Sequence, residues 1–200
     1  MTTMRANTWR KIAAVLAGGL VLGVGTTATL AAWTDEENAT ETFKAGTFSI
    51  VGSTNGADFS DHPTSPGAAL DFTVTPTALV PGTTSYALYS VKTAAGSVSG
   101  SVQLTADPDN DTGLGKYLHY GVRTLTDPIC DADTFTDATS VDIVGSGSEL
   151  TVGSNQKLDL EPNGASAINY CFAVSLPTTA LNEAQGTTLT GRWVFAATAE

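Results

Sequence analysis

The stretch SAINYCFAVSL, residues 166–176, decides the fold class. Ile168, Tyr170, Phe172 and Val174 occupy alternate positions, so an extended strand puts all four on one face. The same period of two recurs upstream in KYLHYGVRTL (116–125). There Leu118, Tyr120 and Val122 share a face, with Lys116 at the start of the row and His119, Gly121 and Arg123 opposite. It recurs downstream in TTLTGRWVFAAT (187–198), where Trp193, Phe195 and Ala197 align. These three rows are the expected core. Further strands are expected over 42–51, 69–75, 84–93, 97–106 and 149–152. Pro, Gly, Asn and Asp punctuate the chain between them: a long exposed loop at 55–67, a tight turn at 79–82 and an acidic turn at 107–113. LPTTALNEAQG (176–186) is the best place for a short helical turn. Helical periodicity is otherwise almost absent after the N-terminal segment. The expectation is an all-β protein, a jelly-roll or β-sandwich forming one domain over 43–200.

Ahead of that domain the chain changes character. Arg5, Arg10 and Lys11 make a basic start, and an apolar run from Ile12 to about Ala32 ends in small residues. Residues 1–32 therefore read as an export signal, with cleavage expected around Ala31, Ala32 and Trp33. The run is long enough to span a bilayer, but four glycines (Gly18, Gly19, Gly23, Gly25) make it a poor permanent helix, and no basic stop-transfer cluster follows. A membrane role is expected only through an uncleaved leader. Beyond Ala32 lie 6 basic and 20 acidic residues, a formal charge of −14. Such a surface repels phosphates, which excludes nucleic acid as a partner. Export also bears on the two cysteines, Cys130 and Cys171. In an oxidising compartment an even pair forms one disulfide; two buried free thiols are the alternative.

The residues that catalysis requires are missing as a set. The chain has two histidines, His62 in a loop and His119 in an expected strand. It has no HExxH, no GxSxG elbow, no P-loop and no dinucleotide fingerprint. No catalytic residue and no resident cofactor are expected. The one metal-like element is DPDNDTG (107–113), in which Asp107, Asp109 and Asp111 alternate as oxygen ligands do in calcium loops. The turn glycine comes one position late, at Gly113, and the twelfth position is Leu118 rather than Glu. Weak calcium binding and a self-capped acidic turn are the two readings.

Three ordered stretches resemble the TasA/camelysin-like family of exported proteins. The first is Ala31-Ala32-Trp33-Thr34-Asp35 followed by Phe43-Lys44-Ala45-Gly46-Thr47-Phe48-Ser49-Ile50. The second is Leu79-Val80-Pro81-Gly82-Thr83 leading into Tyr86, Leu88 and Val91. The third is Asn182 through Gly186, then Trp193-Val194-Phe195-Ala196-Ala197-Thr198. The chain departs from the best-known members in being shorter and in carrying its cysteine pair. The resemblance implies processing by a SipW-type signal peptidase and a secreted jelly roll in the extracellular matrix or at the cell surface. It also implies a homopolymeric fibre in which the freed N-terminal segment, residues 33–42, adds as a strand to the next subunit. Trp33, Thr34, Asp35, Asn38, Thr40 and Thr42 would form that donor, other matrix proteins being further partners. Two alternatives accompany it: a non-polymerising adhesin or accessory envelope protein, and the metallopeptidase activity attached to the camelysin branch.

Overall fold

The computed structural model describes Lys11, Ala13, residues 35–73 and residues 79–200. The chain divides into two compact units, Met1–Phe43 and Lys44–Glu200. In the first, residues 35–42 form neither strand nor helix and are exposed throughout. The second unit is a β-sandwich. Its described residues form β1 (Ile50–Ser53), β2 (Thr84–Thr93), β3 (Gly100–Ala106), β4 (His119–Leu125), β5 (Val141–Glu149), β6 (Leu158–Leu160), β7 (Ile168–Ser175) and β8 (Trp193–Ala199). One sheet runs β1-β2-β7-β4-β5 and the other β6-β3-β8, and every pairing is antiparallel.

The core lies between the sheets, and the alternating rows build it. Tyr170, Phe172 and Val174 of β7 and Leu118, Tyr120 and Val122 at β4 are all buried. They meet Leu104 of β3 and Trp193 and Phe195 of β8. Aromatic contacts cross the gap: Phe195 lies 4.8 Å from Tyr170 and 5.0 Å from Tyr89, and Trp193 lies 5.2 Å from Phe172. Burying one such ring contributes about 2–3 kcal/mol by area alone. The hydroxyl of Tyr120 donates to the Val152 carbonyl, so a polar tip enters the core already satisfied.

The outer face of the five-stranded sheet is also covered. Cys171 of β7 is bonded to Cys130, with Cα atoms 5.3 Å apart, so the disulfide expected from the cysteine count is present. It holds the 126–137 segment and its single helical turn, α1 (Ala132–Thr136), over the sheet. α1 starts because Asp131 and Thr134 cap each other reciprocally. Phe135 from this turn then packs on Cys171 and Ala173. Arg123 of β4 ties the turn down, its guanidinium donating to the Phe135 carbonyl at 2.9 Å and to Asp142 at 2.7 Å.

Several expected strands are corrected. The first begins at Ile50, not residue 42; Thr47 makes only an isolated bridge to Ser97, and Phe43 is 91% exposed. The FKAGTF pattern serves packing instead. A Cβ at Gly46 would stand 2.5 Å from Val98 Cγ1, and one at Gly100 would stand 2.6 Å from the Phe48 ring. Residues 69–73 form no strand, although Leu70 and Phe72 pack on the core; residues 74–78 lie outside the described residues. Leu150 and Thr151 form a turn rather than a strand, and the strand there is β5, which ends at Glu149. In the 176–186 loop the helical turn is a 3-10 turn over Asn182–Ala184.

Candidate assembly edge

A sandwich of two open sheets has four edges, and three of them are closed to partners. β1 is four residues long, and Gly52 exchanges two backbone hydrogen bonds of 2.9 Å with Ser60 on its free side. β5 is bent by register shifts against β4, carries Gly147 at φ +88°, and has its Asp142 carbonyl occupied by the Gln156 side chain. Bulges of this kind twist an edge away from incoming strands. β6 has only three residues. β8 differs on every count: it is seven residues long, unbulged and without a charge from Trp193 to Ala199.

The hydrogen-bond parity of β8 follows from its two ends. Asp107 N–H donates to the Arg192 carbonyl and Glu200 N–H to the Ser99 carbonyl, both at 3.1 Å. In an antiparallel ladder the residues that exchange bonds alternate. Residues 192, 194, 196, 198 and 200 therefore turn their backbone groups toward β3. Trp193, Phe195, Ala197 and Ala199 turn theirs outward, and among the described residues no strand lies beside them. The orders 2-7-4-5 and 6-3-8 are those of an eight-stranded jelly roll, whose sheets hold four strands each. Here β1 joins β2, leaving the place beside β8 without a described strand. The inward residues Trp193, Phe195 and Ala197 are only half-buried as a result.

The acidic loop forms a self-capped turn. Pro108–Asn110 is a 3-10 turn capped by Asp107, whose carboxylate accepts from Asp109 N–H at 3.0 Å and pairs with Arg192 at 3.2 Å. Asp109 and Asp111 are exposed. Among the described residues no three His, Cys, Asp or Glu side chains gather where they could hold a metal, so Asp107, Asp109 and Asp111 are not brought together as ligands. The residue that matters in this loop is Asn110, which the sequence reading passed over. It is 1% exposed, donates to the carbonyls of Leu150 and Arg192 at 3.1 and 2.9 Å, and accepts from Arg192 N–H at 2.8 Å. It thereby stitches the entry of β8 to the sandwich.

His62 contacts Ser60 in the loop at 3.2 Å. His119, Glu149, Asp111 and Lys116 line a shallow hollow at one end of the sandwich. The Asp131 carboxyl is held below its usual range by the Thr134 backbone N–H and then by the Thr134 hydroxyl. Asp137 is lowered by the Thr139 hydroxyl and N–H. Burial pushes the Tyr120 phenol up to about 12, the adjacent Trp193 indole offsetting part of the rise. Burial raises Tyr89 and Tyr170 as well.

Of the expected donor, Asp35, Asn38, Thr40 and Thr42 are exposed and carry no regular structure. Ala31, Ala32, Trp33 and Thr34 lie outside the described residues. Among those that are described, no helix is long and apolar enough to cross a membrane. No protein-family model and no curated protein matches the chain.

Proposed function

We propose that the mature chain is an exported structural subunit of an extracellular or cell-surface fibre, freed by a SipW-type peptidase and assembled without catalysis. Each subunit offers the N-terminal segment around residues 33–42 to the open place beside β8 of the next. The observation that carries this reading is the β8 edge itself: long, unbulged, uncharged and, among the described residues, unpaired, where the other three edges are closed. An edge of this kind is a template for strand addition, with backbone bonds supplying affinity. The exposed, unstructured 35–42 segment has backbone groups free to supply them. The disulfide is compatible with an oxidising compartment. An adhesin on the same fold would instead form no fibres. Secreted protein cut back to Gly46 should form no fibres under the electron microscope while keeping the circular dichroism of the intact chain. Fibres that persist after trimming would refute donation by this segment.

A further inference from the structure

The edge exposed by β8 is complementary to itself. Its outward-facing backbone groups belong to Trp193, Phe195, Ala197 and Ala199. Two antiparallel copies can exchange bonds only if odd-numbered residues meet odd-numbered residues. The pairing that uses all four sets Trp193 against Ala199 and Phe195 against Ala197 of the second copy, and the reverse. Four pairs then exchange two hydrogen bonds each. The two-fold axis passes between the two copies of Ala196, perpendicular to the sheet.

Side chains fit this register. Val194, Ala196 and Thr198 point to the outer face and are exposed. The axis brings Ala196 against Ala196, in the closely spaced non-bonded type of pair, where a methyl group leaves room for the partner. Val194 faces Thr198 on either side, a β-branched pair of the sort that sheets favour. Charge points the same way. The chain beyond Ala32 carries −14, so most surfaces of two copies repel each other. From Trp193 to Ala199 there is no charge at all.

We infer that β8 also binds a second copy of itself, forming a two-fold dimer in which two three-stranded sheets become one of six strands. A donor segment and a partner β8 need the same backbone groups, so the dimer and the fibre exclude one another at this edge. The dimer would hold secreted subunits in a soluble form until donors displace it. Its existence does not rest on the donor reading, since it needs β8 alone.

The test uses the intact secreted chain and three variants, Ala196→Lys, Ala196→Cys and Thr198→Cys. Each change is on the exposed outer face and spares the ladder to β3. Sedimentation over a concentration series should show monomer passing to dimer, and Ala196→Lys should weaken the dimer at least about tenfold by opposing two charges across the axis. Under mild oxidation Ala196→Cys should give a covalent dimer linked through that position, located by mass spectrometry. Thr198→Cys should give little, because Thr198 faces Val194. A monomer at every concentration would overturn the inference, as would a dimer indifferent to Ala196→Lys. Equal cross-linking of the two cysteine variants would overturn the register.

Discussion

Asn110 and the three aspartates around it divide the labour of one seven-residue loop. The aspartates are what a reader of DPDNDTG notices, because alternating carboxylates suggest a cation. The asparagine carries the energy, because its amide is buried and its three bonds reach two other segments. Asn110→Leu should cost about 3 kcal/mol, since it strands buried backbone groups as well as losing bonds. Asp109→Asn should change stability by less than about 0.5 kcal/mol. Urea denaturation of both variants checks this; the reverse order would make the aspartates the functional part of the loop. Pattern matching sees residue type, whereas burial decides which polar group is costly to remove. The core phenols give a pH signature. With Tyr89, Tyr120 and Tyr170 raised by burial, the stability they contribute is complete below about 10, the ordinary phenol value, and is lost as pH rises through the raised values, about 12 for Tyr120. Tyrosinate absorbance followed alongside circular dichroism should show three of the five tyrosines ionising only as the fold is lost. All five ionising with the fold intact would contradict their burial.

At the scale of elements, the alternation of aromatic and aliphatic residues made β4, β7 and β8 legible. It failed where pairing and burial part company. Leu70 and Phe72 alternate like a strand and do pack inward, but residues 69–73 join no ladder. β5 went unread because GSGSE supplies no apolar partner for Ile143 and Val144, and those two neighbours are both buried, as a bulged strand allows. The free edge of β8 could not be read at all, since which strand lies beside which depends on distant segments. The cysteine pair was legible from its number and its expected compartment. It clamps α1 across a sequence separation of 41 residues. Replacing both cysteines by alanine should lower stability by about 2–4 kcal/mol. An unchanged urea midpoint would mean that Arg123 and Phe135 hold the segment alone.

At the scale of the molecule, the sandwich formed by the described residues is closed at three edges and open at the fourth. The five-stranded sheet has both faces covered, by the core and by the disulfide-held segment. Among the described residues the three-stranded sheet stops at β8. Fold class was legible in the sequence, because two sheets are what many short alternating strands can bury; the open side was not, because it is a property of topology. Assembly through that side separates into two halves, a donor and an acceptor, and each can be disabled singly. Ala197→Pro removes an N–H that faces outward from β8, so it blocks the edge without breaking the bond to β3. A chain starting at Gly46 keeps the edge and lacks the donor. The decisive measurement mixes these two chains, distinguishable by mass, and follows complex formation by native mass spectrometry with electron microscopy alongside. Neither chain should form fibres alone, and together they should yield a complex with one copy of each. Fibres from either chain by itself, or no mixed complex, would contradict assembly by strand addition at β8.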